Sequence, residues 1–265
     1  MTDLPEMPLK ARSFKSLRTI SALILREMST TYGRSPGGYL WAILEPVAAI
    51  TLLTVVFSAA LRTPSLGTNF GLFYASGFLP FTLYMQLSNK ISSALKFSRP
   101  LLRYPGVRYI DAIIARFLLN VLTYITVSFI LVTVIMLGFD IQTILDLRAI
   151  VLAFTLSALL GLGVGCLNCF LIMRFNIWGS LWGILTTPMF ILSCIFFILE
   201  DIPAQFQKVL WFNPVVHVTG LMRTGFYPTY DATYVSVPYV LFFGLITLAM
   251  GLLLLNRFHQ DLLNT

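Results

Sequence analysis

Six apolar stretches dominate the chain, at roughly 40–61, 70–88, 109–137, 149–172, 177–199 and 233–256, and each is long enough to cross a bilayer as a helix of about 20 residues. That repeated length excludes an ordinary soluble fold and predicts an all-α membrane protein with six transmembrane helices. Composition agrees: 57% of the 265 residues are hydrophobic and 11% charged, against about 25% charged in a typical soluble domain. Residues 1–38 form a polar, basic arm without the short apolar core of a cleavable leader, and 39–265 form one membrane domain.

Charge sets the orientation. Lys10, Arg12, Lys15, Arg18, Arg26 and Arg34 sit on the arm; Lys90, Lys96, Arg99, Arg103 and Arg108 follow the second stretch; Arg174 and Arg257 lie on the same side. The opposite side holds only Arg62, Arg148, Lys208 and Arg223, with five acids among them. Both termini are therefore expected in the cytoplasm of a multi-pass bacterial inner-membrane protein. The net charge of +7 reflects this topology rather than a nucleic-acid partner.

Three connections carry further information. Along the arm, Phe14, Leu17, Ile20, Ile24 and Met28 recur at helical spacing, which predicts an amphipathic helix on the inner surface. It meets the first span at an elbow marked by Gly33, Pro36, Gly37, Gly38, Tyr39 and Trp41. In the second, 89–108, a short helical run precedes the breakers Pro100 and Pro105. The third, between the fifth and sixth spans, is too apolar for a plain loop and too interrupted by Pro203, Pro214 and Pro228 to span. It predicts a re-entrant helical hairpin split at Asn213-Pro214, which must be covered by protein or line a cavity.

No Gly-Lys pair exists, so the chain has no phosphate-binding loop of the G-x-x-x-x-G-K-[ST] type. No catalytic constellation and no metal-ligand spacing is found. Cys166 and Cys169 lie in an apolar run, where small packing residues are the simpler reading of C-x-x-C. Ser157, Gly161, Gly165 and Cys169, at every fourth position, form a stripe suited to close helix packing.

Against this background, Arg26-Glu27, Tyr32-Gly33, Gly38-Tyr39-Leu40-Trp41 and Leu44-Glu45-Pro46 resemble the motif leading into the first span of type-2 ABC exporter permeases. The likeness is greatest to the inner-membrane subunit of capsular polysaccharide exporters. The strings IDAIIAR at 110–116 and LWFNPVVHVTGLMR at 210–223 resemble the same subunit, so the resemblance covers essentially the whole chain. It implies a non-catalytic permease that works as a homodimer with two copies of a cytoplasmic ABC ATPase. That partner would bind ATP and magnesium, and no cofactor is expected in this chain. The implied substrate is a lipid-linked, acidic capsular polysaccharide, passed on to periplasmic or outer-membrane export components. O-antigen, teichoic acid or a small amphiphile are alternative cargoes for the same architecture. A secondary transporter is disfavoured because no carboxylate lies near mid-membrane, and a membrane glycosyltransferase because no polar catalytic loop exists.

With no ATP site of its own, the chain must receive energy through cytoplasmic contacts. Arg26 and Glu27 on the arm, with Lys96, Arg99 and Arg103 around a coupling helix at 94–100, are the expected contacts. Glu45 and Arg116 enter the membrane to similar depths, about 9 and 10.5 Å at 1.5 Å per residue, and are expected to pair between the first and third spans. Phe70, Tyr74, Phe78, Phe81 and Tyr84 form a stripe on the second span. The stripe is either a track on which sugar rings slide or simple packing. Arg223 is a candidate exit gate facing an anionic polymer, or a partner of Glu200 or Asp201.

Overall fold

The computed structural model describes residues 15–31, 38, 40–102 and 107–264. In chain order the helices are α1 (Lys15–Thr31), α2 (Leu40–Ala60), α3 (Phe70–Ser92), α4 (Ala94–Leu102), α5 (Tyr109–Gly138), α6 (Leu147–Arg174), α7 (Trp178–Leu192), α8 (Ala204–Trp211), α9 (Pro214–Phe226) and α10 (Val237–Asn264). The elbow residues Gly33, Pro36, Gly37 and Tyr39, together with Phe14 and Arg103, lie outside the described residues.

Among the described residues, α2, α5, α6 and the Val237–Gln260 part of α10 are long and apolar enough to cross a membrane, and α7 is a shorter apolar helix. The second expected span, α3, has the length but a different character. Sixteen of its 23 residues are buried, including Ser76, Ser88 and Ser92. A helix surrounded by other helices need not be apolar all round, and this explains why its apolar signal fades after residue 88.

Side chains start these helices by occupying backbone donors that have no partner in a first turn. Asn69 Oδ1 accepts from Leu72 N at 3.0 Å, opening α3. Asp146 Oδ1 accepts from Arg148 N at 2.9 Å, opening α6. Asn213 Oδ1 accepts from Val215 N at 3.0 Å, and Pro214 takes the first helical position of α9, where its missing N–H costs nothing. The expected break at Asn213-Pro214 is thus a helix–turn–helix.

At the centre, α6 packs along α3 on one side and α10 on the other. The stripe of small residues faces α3. Ser157 Oγ donates to the Pro80 carbonyl at 2.7 Å, and a Cβ on Gly161 or Gly165 would lie 2.7 Å from Leu87 Cβ or 2.8 Å from Ile91 Cβ. Without a hydrophobic drive between helices in lipid, such close approach is what holds them together.

The fifth span differs from expectation. Helix α7 stops at Leu192, and residues 193–198 are irregular, with Cys194 in the left-handed region at φ 55°. None of the residues of α7 is buried. The apolar run to residue 199 therefore includes a segment whose backbone must find partners elsewhere in the chain.

Candidate functional site

Two polar clusters stand out in this apolar molecule. The first lies where α1 crosses the start of α5. Leu23 of α1 packs on Ala112 and Ala115 of α5, with Ile20, Ile24, Leu101 and Val107 at the margin. Leu17, expected on the apolar face, is 59% exposed. At one end of the crossing, Ser16 Oγ donates to Asp111 Oδ1 at 2.5 Å. The other carboxylate oxygen of Asp111 accepts from the Arg108 backbone N at 3.3 Å, closing the first turn of α5.

At the other end sits Arg116, 5% exposed. Its Nε is 3.0 Å from a carboxylate oxygen of Glu27. Its Nη1 donates to the Lys90 carbonyl at 2.6 Å and to Ser93 Oγ at 2.9 Å. Its guanidinium carbon lies 4.3 Å from the centre of the Phe97 ring, whose surroundings also include Arg26 at 5.2 Å. The expected pair between Glu45 and Arg116 does not form. Glu45 is exposed and accepts from Gln86 Nε2 at 3.4 Å. Equal depth along two helices does not bring side chains together when a third helix, α1, lies across one of them and supplies the carboxylate.

The coupling residues separate accordingly. Glu27 is buried and committed to Arg116, so its carboxylate is not presented at the protein surface. On α4, which continues two residues past Pro100, Ala94, Leu95 and Ser98 face the protein; Lys96 is exposed and Arg99 partly so.

The second cluster holds the irregular segment after α7. Asn213 Nδ2 donates to the Leu192 carbonyl at 3.0 Å, and Thr219 Oγ1 to the Ser193 carbonyl at 3.1 Å. Arg223 reaches further along, with Nη2 on the Ile195 carbonyl and Nη1 on the Phe197 carbonyl, both at 2.9 Å. Its guanidinium carbon sits 4.4 Å from the centre of the Phe73 ring. Arg223 is fully buried. It neither meets a polymer at the surface nor pairs with an acid, since Glu200 accepts instead from Tyr230 Oη at 3.0 Å. Irregular backbone in an apolar setting demands internal donors, and a guanidinium fork offers several at once.

His217, one turn into α9, joins the hairpin to its return path. The Ser236 N–H donates to Nδ1 at 3.2 Å, so Nε2 carries the proton and donates to the Trp211 carbonyl at 2.8 Å. Both nitrogens are used in the neutral form, and burial holds the pKa below its ordinary 6.5. The unfolded chain therefore binds more protons between the folded value and about 6.5, and this contribution to stability is complete above about 6.5 and lost as pH falls below it. A thermal melt in detergent should show a larger drop in midpoint between about pH 7.5 and 5.5 for the native protein than for His217→Gln. Equal drops would count against it.

The aromatic stripe of α3 is packing rather than an open track. Tyr74, Phe81 and Tyr84 are buried, and Phe70 and Phe78 are partly so. The Tyr74 ring lies 5.3 Å from that of Phe57, and Phe81 lies 5.5 Å from Phe190 of α7. Rings from α2 and α7 cover Tyr74, Phe78 and Phe81, so these faces are not an open track in this arrangement. Between the start of α5 and the end of α10, a cavity of about 530 Å³ is lined in part by Arg108, Tyr109, Asn256 and His259. Tyr109 Oη donates to Asn256 Oδ1 at 3.3 Å across it.

A buried ionic clamp between a surface helix and a span, and a broken outer helix pair, suit a membrane protein that moves. Residues 18–227 match the family model described as ABC-2 type transporter. The chain belongs to that family. As an ABC-2 permease it is similar along nearly its whole length to curated relatives. The polysialic acid transport protein KpsM of Escherichia coli is 34% identical over 247 residues, covering 93% of this chain and 96% of that protein. The capsule polysaccharide export inner-membrane protein CtrC of Neisseria meningitidis serogroup B is 28% identical, covering 92% of each chain. BexB of Haemophilus influenzae, with the same description, is also 28% identical over 92% of each. The chain is an inner-membrane ABC-2 permease, a membrane subunit rather than a catalytic one.

Proposed function

We propose that this permease is the membrane subunit of an ATP-driven exporter of capsular polysaccharide. The observation that carries the reading is the 34% identity, over 96% of its length, to a polysialic acid transport protein. In this reading α2, α3, α5, α6, α7 and α10 are the six spans, and both termini are cytoplasmic. The hairpin of α8 and α9 dips into the outer leaflet, shielding residues 193–198. ATP and magnesium bind in a separate ATPase, two copies of which serve a homodimer of this chain.

Several features support the dimer. Among the described residues the aromatic stripe of α3 is covered within one chain, which favours a polymer route between two copies. No residue of helix α7 is fully buried within the chain, and a Cβ on Gly179 or Gly183 would meet nothing within 4 Å. Glycines at this spacing on an apolar helix favour close approach of another helix. The ATPase-facing surface is Arg26, Lys96 and Arg99, with Arg103. The polymer is acidic and lipid-linked, and components further out receive it. Export of O-antigen or teichoic acid is the second reading, favoured only by shared architecture.

Deletion in an encapsulated host tests this. Loss of surface polymer with finished polymer accumulating inside is expected, and native chain should reverse both. Arg26→Glu/Lys96→Glu/Arg99→Glu should fail to restore export and should lose co-purification with the ATPase. Loss of polymer synthesis itself would overturn the reading.

A further inference from the structure

We propose that Arg116 is a positioning residue for energy transfer, clamping α1, the bend between α3 and α4, and α5 into one lever. This rests on the reading of α1 and α4 as the ATPase-facing surface, but concerns residues that face away from the ATPase.

The chemistry begins at the end of α3. A helix leaves its last carbonyls without partners, at the negative end of its dipole. At Ser93 the chain ends α3 and begins α4, so the Lys90 carbonyl is turned toward α5. Ser93 Oγ reaches that carbonyl at 3.1 Å, and Arg116 Nη1 reaches it at 2.6 Å. One guanidinium thus caps α3 and holds Ser93, which is the bend itself. Its Nε faces Glu27 of α1. Its flat face covers Phe97 of α4 at 4.3 Å.

Five structural parts therefore meet at one side chain: α1, the end of α3, the linking residue, α4 and α5. A pair that only fixed α1 to α5 would need none of the contacts to Lys90, Ser93 and Phe97. Both charges are almost fully buried, at 5% and 7% side-chain exposure, so the pair is poorly screened and intolerant of separation. The parts are held at fixed angles, and a push on the exposed face of α4 or α1 reaches the α5 span without being absorbed at the bend. Remove the guanidinium, and α4 can follow the ATPase while α5 stays still; remove only its carboxylate, and α1 comes free of the lever.

The prediction is a loss of coupling, not of docking. In proteoliposomes holding the full complex with its ATPase, Glu27→Gln should leave ATPase co-purification intact and keep ATP turnover near the native rate. Polymer exported per ATP should fall by about tenfold or more, since breaking one buried pair costs more than the free energy of a single factor of ten. Arg116→Lys should restore part of that ratio, since an ammonium can meet Glu27 but cannot fork to Lys90 and Ser93 at the same time. Glu27→Cys/Arg116→Cys, joined by a short bifunctional thiol reagent, refastens α1 to α5 alone and should recover part of the coupling, and no more, relative to the same variant unjoined. Export and ATP turnover falling in step, a native export-to-ATP ratio in Glu27→Gln, arrest of export by the covalent joint, or failure of every variant to assemble would each overturn the proposal. Failure of the underlying reading has a different signature: native docking in the Arg26, Lys96 and Arg99 reversals.

Discussion

Replacing Arg223 with Met is expected to expose Cys194 to a membrane-impermeant maleimide that leaves the native protein unlabelled. In the native fold Cys194 is fully buried within residues 193–198, the segment where α7 has already ended. Its neighbours depend on Arg223 for the pairing of the Ile195 and Phe197 carbonyls. Met fills a similar apolar volume beside Phe73 but offers no donor. Each carbonyl left unpaired in a buried setting costs about 1–3 kcal/mol, and two of them outweigh the relief of no longer burying a cation, which is already solvated by those carbonyls and the ring. The segment should therefore open toward water or lipid headgroups. Arg223→Lys, with one compact ammonium, should give intermediate labelling because it can satisfy one carbonyl well. Cys166 and Cys169 are buried against other helices and should stay unlabelled in every variant. An unlabelled Cys194 in Arg223→Met, with a native melting midpoint, would show that the carbonyls find other partners.

Arg223 also shows why part of the site was hidden. Its identity as a charge in an apolar hairpin was legible, and an acid was the natural partner to seek. The groups it serves are backbone carbonyls, which carry no letter in a sequence. They matter only because α7 stops at Leu192 although the apolar run continues, so hydropathy alone marks a longer helix than forms. The same limit applied to Arg116. Depth along a helix relates only groups within spans, while Glu27 lies on α1, whose basic composition marks it as water-facing. A carboxylate at the edge of an apolar stripe was the available signal, since Glu27 falls one residue before Met28. For the aromatic residues of α3, periodicity gave the face but could not say what covers it, and Phe57 and Phe190 do. Local rules fared better. The Asn213-Pro214 break opens α9 as its side chains dictate, and the spacing of Ser157, Gly161 and Gly165 marks a close contact, with α3 as its partner.

Helix α6 has a second close contact, and Gly251→Leu is expected to destroy it, leaving little folded protein in the membrane. A Cβ on Gly251 would lie 2.6 Å from the backbone N of Leu167 and 2.8 Å from the carbonyl carbon of Cys166. On the facing helix, a Cβ on Gly163 would lie 2.6 Å from the Gly244 carbonyl oxygen. These are backbone atoms, which cannot swing aside as a side-chain tip can, so even Ala must push α10 away from α6 by nearly an ångström to reach ordinary contact. Van der Waals packing is the main force joining helices in lipid, and a tilt at this crossing loosens the contacts along α10, including Leu255 against its buried neighbours. Gly251→Ala should cost about 1–3 kcal/mol, the range for overpacking a tight interior, and Leu considerably more. Gly138→Ala provides the control, since a Cβ there meets nothing within 4 Å. The check is the amount of monodisperse protein left after heating detergent extracts, read by size exclusion. The order native, Gly138→Ala, Gly251→Ala, Gly251→Leu is expected, with the first two equal. A Leu variant as heat-resistant as the native chain would mean that α6 and α10 do not approach as closely as this crossing requires.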